Sequence, residues 1–270
     1  MSNKNARERL RAAQAAQEAK RRRRRIIGAA LGVVLAVAVI VTVVVVVGMS
    51  RQVPVAEPGQ TQTVAGQPPN ATADLKGIVV NPGVAKPGAP VVAIYQDYQC
   101  PVCGQMEKLL GPTFTSLADS GAIQLQYRTL VFLDPGLHNQ SSTNAAIGAA
   151  CADSQGVFAA YHDQVFAHQP AKEGDGYSEQ LLRETIPAAV GLSGDKLTAF
   201  QQCYDKRTPE QFVKIVDQNG LRDGVTATPT VWVNGHEFSW SKYVTDPTQL
   251  GAAIQTAATA PATPGPTPVS

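Results

Sequence analysis

The chain has 270 residues, enough for one large domain or two small ones. Its 44% apolar content excludes uniform disorder, and a single long apolar run excludes a many-span membrane protein. The net charge of +2 conceals a polarity: residues 1–25 carry ten basic and two acidic side chains, a balance of +8, and the rest of the chain carries −6. An acidic main body argues against nucleic-acid binding.

Residues 1–25 read as a basic cytoplasmic tail, with a polar stretch rich in Ala, Gln and Arg that anionic lipid attracts. Residues 26–48 follow as an apolar run with Thr42 its only polar side chain. At the helical rise they span roughly 34 Å, enough to cross a bilayer core of about 30 Å. The valines at 43–47 favour a strand in water, but a segment in lipid must pair its own backbone, so a transmembrane helix is predicted. Arg21–Arg25 before it and only Arg51 close behind place the N-terminus inside and the C-terminal body outside. A cleaved signal peptide is the competing reading, but its apolar core would be shorter, about 7–15 residues. The expectation is a single-pass plasma-membrane protein with an extracytoplasmic domain.

Residues 49–76 are rich in Gln, Pro, Gly and Thr without an apolar period and read as a flexible linker. A folded body is expected over 77–258, with a disordered Pro/Thr tail at 259–270. Within the body, Val91–Tyr95 is a short apolar run after Pro90, the mark of a buried strand. A helix is predicted from Cys100 to about Leu117, then a strand over Ile123–Phe132. Five helical segments follow: Ser141–Cys151, Val157–His168, Ser178–Val190, Asp195–Arg207 and Pro209–Asn219, the last stopped by Gly220. Thr230–Val233, Asn234-Gly235 and His236–Trp240 have hairpin chemistry, and Asp246-Pro247 suits a helix start. The pattern is β-α-β, a helical block at about 134–222, then β-β-α: an α/β fold with an inserted helical subdomain.

The cysteines are at 100, 103, 151 and 203, all on the predicted outer side, where oxidised pairs are stable. Four cysteines allow three pairings. Cys100-Pro101-Val102-Cys103 closes almost no loop, so it adds little as a structural staple. At a strand-to-helix junction, unpaired amides and the helix dipole favour a thiolate at Cys100. Cys103, one turn in, suits the resolving role. Half of a zinc site is the alternative, but it lacks a second close Cys or His pair, and no metal is expected. Cys151 and Cys203 fall on different predicted helices. Two buried thiols are one reading; outside the cytoplasm a structural disulfide is preferred, contributing on the order of 4 kcal/mol by loop closure.

Tyr95-Gln96-Asp97-Tyr98-Gln99-Cys100-Pro101-Val102-Cys103 resembles the aromatic-x-Asp-x-x-Cys-Pro-x-Cys signature of DsbA-like thiol:disulfide oxidoreductases. Tyr161-His162-Asp163 through Phe166, and Gly224–Thr230 with Val233-Asn234-Gly235, resemble two further segments of that family. The anchor and the second cysteine pair are most similar to the membrane-anchored DsbA proteins of mycobacteria and other actinobacteria. The resemblance implies a thioredoxin-like fold with a helical insertion, a cis bond at Thr228-Pro229, and a substrate-docking role for Thr228 and Pro229. It also implies exported, folding proteins as substrates and a quinone-linked membrane partner of the DsbB or VKOR type, beside the bilayer itself. No cofactor beyond the redox-active disulfide is called for.

Two departures from the pattern matter. Ile94 stands where many thioredoxin-fold enzymes bury an acid, so proton transfer at Cys103 falls to water or to another group such as Asp97. The alternative for Asp97 is a surface or helix-capping acid. Pro-Val between the cysteines lacks the histidine of strongly oxidising relatives, which predicts moderate oxidising power. Glu107, on the same helix, reads as a solvated-face residue. The leading expectation is an oxidase of exported proteins. A thiol reductase or isomerase, serving cytochrome maturation or disulfide repair, and a non-enzymatic tethered peptide-binding or chaperone protein are the alternatives.

Overall fold

The computed structural model describes residues 63–259. The predicted tail, membrane span and C-terminal tail, and residues 49–62 of the predicted linker, lie outside the described residues. Among the described residues, no helix is long and apolar enough to cross a membrane.

A five-stranded sheet in the order β1-β3-β2-β4-β5 forms the centre. Its strands are β1 (Ile78–Val79), β2 (Val91–Gln96), β3 (Gln124–Thr129), β4 (Thr230–Val233) and β5 (His236–Phe238). β2 pairs in parallel with β3 and antiparallel with β4, so it is central and buried on both faces. That is why VVAIYQ reads as a continuous apolar run and not as an alternation. The Tyr95 face of β2 packs with Ala93, Leu130 and Val225 in one apolar cluster.

Helix α1 (Pro101–Asp119) crosses from β2 to β3. Pro101 at its first turn costs no hydrogen bond, since that N–H has no partner in a helix. Between β3 and β4 lies the helical block: α2 (Leu133–Leu137), α3 (Ser141–Asp153), α4 (Phe158–Ala167), α5 (Ile186–Ala189), α6 (Gly194–Asp205) and α7 (Glu210–Arg222). Helix α8 (Leu250–Thr259) closes the described chain. The result is a thioredoxin-like α/β fold carrying a helical insertion.

Several boundaries differ from the sequence expectation, each for a tertiary reason. The ordered body begins before residue 77: Leu75 is buried, Ala71 bridges to Ile78, and Asp153 accepts from both amide groups of Asn70. Side-chain hydrogen bonds hold this stretch where an apolar period is lacking, so residues 63–76 are not free linker. β3 ends at Thr129, not Phe132, because the Val131 N–H donates to Asp217 on α7 at 2.9 Å. Gly220 is no helix stop. It lies within α7, where a Cβ would come within 2.5 Å of Leu130, and the chain turns only at Gly224, φ +82°. Ser178–Val190 is not one α-helix but a π turn at Leu181–Thr185 joined to α5. Pro187 there has no N–H to offer the preceding turn. β5 stops at Phe238, and Trp240 opens a 3₁₀ turn.

Candidate active site

Cys100 is the residue before α1, with extended backbone (ψ 117°) and no side-chain cap. The first amides of the helix therefore point at its own sulfur. Both Cys100 and Cys103 are free thiols; Cys100 is 7% exposed and Cys103 fully buried. The Thr228-Pro229 peptide is cis, and the Cys100 Sγ lies 3.4 Å from the Thr228 carbonyl oxygen. The Trp240 indole N–H donates to the Pro229 carbonyl at 3.2 Å and fixes that loop from the far side of the hairpin.

The two sulfurs have opposite electrostatic settings. A hydrogen bond from Cys103 is the largest influence on Cys100. Burial opposes it, and Thr228 and the N–H groups of Val102 and Cys103 add to it, holding the Cys100 thiol down to about 6. Burial pushes Cys103 well up, and the neighbouring Cys100 charge adds to that. One sulfur is thus a thiolate at neutral pH while its partner keeps its proton.

Asp97 is buried, not a surface acid. Its Oδ1 accepts from the Gln99 N–H at 2.9 Å and the Ser142 hydroxyl at 2.5 Å, and its Oδ2 accepts from the Leu133 N–H at 3.3 Å. Burial pushes its carboxyl up to about 7 against these three donors. Its backbone N–H is among the groups that favour a Cys103 thiolate. Ile94 is buried in β2 and carries no acid there; the carboxylate of Asp97, just past the strand end, is turned to Gln99, Ser142 and Leu133.

Glu107 departs from its expected solvated position. It is 7% exposed, accepts from the Tyr127 hydroxyl at 3.3 Å, and faces His162 Nε2 at 3.6 Å. The facing partner is 55 positions away and supplied by the insertion, which no local pattern reveals.

The insertion contributes further residues that the sequence reading did not identify. Gln169 Nε2 donates to the carbonyls of Tyr98 and Cys100 at 2.8 and 2.9 Å, and the Tyr177 hydroxyl donates to that of Tyr98 at 2.7 Å. Gly104 leaves room for this contact, since a Cβ there would sit 2.2 Å from Gln169 Oε1. Cys100, Cys103, Asp97, Thr228 and Pro229 come together at one end of the sheet. Cys151 and Cys203 instead form a disulfide joining α3 to α6.

A buried thiol behind a low-pKa thiol at a helix start, faced by the carbonyl of a Thr-Pro loop on a thioredoxin-like sheet, defines a dithiol site of the DsbA-like kind. Residues 83–255 match the family described as Thioredoxin (Thioredoxin_4). The chain belongs to that thioredoxin family. DsbA from Mycobacterium tuberculosis in its reduced form is 28% identical with a TM-score of 0.52, covering 68% of this chain and 98% of that one. MdbA from Actinomyces oris, a thiol-disulfide oxidoreductase, is 20% identical with a TM-score of 0.60 and supports the fold, over 77% of this chain and 98% of that one. Among curated proteins, the Na(+)/H(+) antiporter NhaA 3 of Salinispora tropica is 30% identical over 148 residues, 54% of this chain and 20% of its own length. NhaA 1 of Salinispora arenicola is 30% identical over 173 residues, 63% of this chain and 23% of its own length. The chain thus spans about a fifth of the length of these curated relatives.

Proposed function

We propose that the protein is an extracytoplasmic oxidase that donates the Cys100–Cys103 disulfide to exported, folding proteins. The observation that carries this reading is the sulfur asymmetry: Cys100 held down to about 6, Cys103 buried and pushed up. A client thiolate attacks Cys100 Sγ, breaking the S–S bond and releasing Cys103, which takes up a proton. A second client thiolate then attacks the client sulfur of the mixed disulfide and expels Cys100 as a thiolate. The client loses two electrons and two protons, and the pair gains two electrons. Stabilising the Cys100 thiolate stabilises the reduced enzyme and so drives oxidation of the client. Its value lies between about 7 in thioredoxin and about 3.5 in DsbA, consistent with moderate oxidising power.

Asp97 is assigned the proton-transfer role at Cys103, and Thr228 and Pro229 the docking of an extended client chain. The two sulfurs carry the electron pair, so the reaction asks for no cofactor. Residues 26–48 anchor the domain in the plasma membrane, with residues 1–25 cytoplasmic, and residues 49–62 tether it within reach of a quinone-linked DsbB- or VKOR-type partner that re-oxidises it. In a Cys103→Ser variant the Cys100 thiolate attacks a client disulfide and one client thiolate leaves; with no Cys103 to displace the remaining client sulfur, mixed disulfides between Cys100 and exported proteins are expected to accumulate under mild alkylation. Absence of such adducts overturns the enzymatic reading; a mostly reduced Cys100–Cys103 pair in cells reverses the assigned direction.

A further inference from the structure

Four buried side-chain atoms among the described residues have no hydrogen-bond partner: Gln96 Oε1, His162 Nε2, Glu107 Oε1 and Arg128 Nε. Leaving such a group unpaired costs stability, so each calls for an explanation. Three of the four belong to one connected set. His162 is held between side chains, its ring 3.9 Å from that of Tyr127 and edge-on to Phe166 at 5.1 Å, so its nitrogens have fixed directions. Nδ1 lies 3.2 Å from the Gln96 amide and 3.1 Å from the Tyr98 hydroxyl. Nε2 faces Glu107 Oε1 at 3.6 Å, beyond hydrogen-bond distance.

The orientation of the Gln96 amide is an assignment, since its nitrogen and oxygen are interchangeable in shape. Turning it pairs Gln96 Oε1 with a proton on His162 Nδ1 and leaves Gln96 Nε2 as the unpaired atom instead; the Tyr98 hydroxyl can accept the same proton in either orientation. That tautomer leaves a lone pair on Nε2 aimed at the Glu107 carboxylate. A lone pair and a carboxylate oxygen facing each other hold a cation between them, a single proton in the simplest case and a metal ion where a third ligand is in reach. Asp163, exposed on the next position of α4, brings a third ligand atom, and the three lie within 4.8 Å of one another. Both acids line a groove of about 900 Å³ along α1, which gives an ion and its water access. Gly111 makes space for the Glu107 carboxylate, since a Cβ there would lie 2.6 Å from its Oε2.

We propose that Glu107, His162 and Asp163 form a site for a divalent transition-metal ion, one imidazole and two carboxylates with water completing the shell. This donor set suits zinc, whose bonds of about 2.0–2.2 Å require a modest inward movement that the exposed Asp163 side chain supplies. Gln96 and Tyr98 act as the outer partners that fix the histidine tautomer. Glu107 lies one helical turn beyond Cys103, so a bound ion pins the redox helix α1 to α4 of the insertion. The site stands apart from the thiol chemistry and does not depend on its direction.

The test uses the full chain, without a histidine tag, in detergent, stripped with EDTA and with Cys100–Cys103 oxidised so that thiolates cannot compete. Zinc ion alone is titrated, and bound metal is counted by elemental analysis after gel filtration, alongside thermal melting. One zinc per chain and a raised melting temperature are expected. Asp163→Asn is expected to weaken binding about tenfold or more, and Glu107→Gln to abolish it. Asp163 is exposed, so its variant decides the matter even where Glu107→Gln fails to fold. No stoichiometric zinc, affinity unchanged by Asp163→Asn, or binding that follows the exposed His168 in a His168→Ala control each overturns the site.

Discussion

The chemistry of the dithiol is set by where two protons sit. Cys100, held down to about 6, ionises in the folded, reduced protein well below the ordinary thiol value of about 8.5. A depressed folded-state value means that this stabilisation is complete above about 8.5 and is lost as pH falls through about 6. It amounts to roughly 3–4 kcal/mol and exists only in the reduced form, because a disulfide does not titrate. The reduction potential therefore has a defined pH dependence. Below about 6, two electrons bring two protons and the potential falls by about 59 mV per pH unit; above it one proton accompanies them and the slope is about 30 mV. Asp97, pushed up to about 7 by burial, acts on the rate and not on the potential: in its proton-transfer role it gives the exchange rate a break near that value, and Asp97→Asn removes it. Potentials measured against glutathione from pH 5 to 9 check the first break, and exchange rates over the same range check the second; a single potential slope throughout would refute the Cys100 assignment.

At the scale of elements, the active helix is positioned by a clamp from outside the sheet. Gln169 holds the carbonyls of Tyr98 and Cys100, which lie in the turn that aims the first α1 amides at the sulfur. Gln169→Ala is expected to cost about 1 kcal/mol of stability, a typical hydrogen-bond contribution. The fold survives, because Tyr177 still donates to Tyr98 and Gly104 N–H to Cys100. The loosened turn raises the Cys100 pKa, read by thiolate absorbance. Gly104→Ala expels the same side chain by contact, so it should shift the titration in the same direction with Gln169 intact. Identical titrations in all three proteins would remove the clamp from the mechanism.

This division also explains what the sequence made legible. β2, the start of α1 and the β4–β5 hairpin follow from adjacent residues: an apolar run after Pro90, Pro101 behind Cys100, and Asn234-Gly235 with φ of +50° and +84°. Local chemistry fixes such features. Gln169, Tyr177, Trp240 and the Glu107–His162 pair are legible only in three dimensions, since each acts on a distant partner. Gly220 shows the same limit: its lack of a side chain serves the approach of Leu130, not a turn.

For the whole molecule, the insertion must hold its shape for these distant groups to stay in register. Its central helix α3 is built from small residues: Ala145, Ala146, Ala149, Ala150 and Ala152 are buried, and a Cβ at Gly148 would lie 2.2 Å from the Tyr161 hydroxyl. Small side chains bury little apolar area each, so such packing contributes less per residue than a leucine core. The Cys151–Cys203 disulfide reinforces it, joining α3 to α6 across a separation of 52 positions. Closing a loop of that length removes unfolded-state entropy worth on the order of 4 kcal/mol. The Cys151→Ala/Cys203→Ala double variant is therefore expected to lose about 2–5 kcal/mol in urea unfolding, with a melting temperature lower by roughly 4–20 °C. Below the transition it should keep the Cys100 titration near 6, because neither residue touches the dithiol turn. A variant as stable as the parent would show that helix packing alone fixes the insertion; a shifted Cys100 titration in the folded variant would show that the staple also tunes the active sulfur.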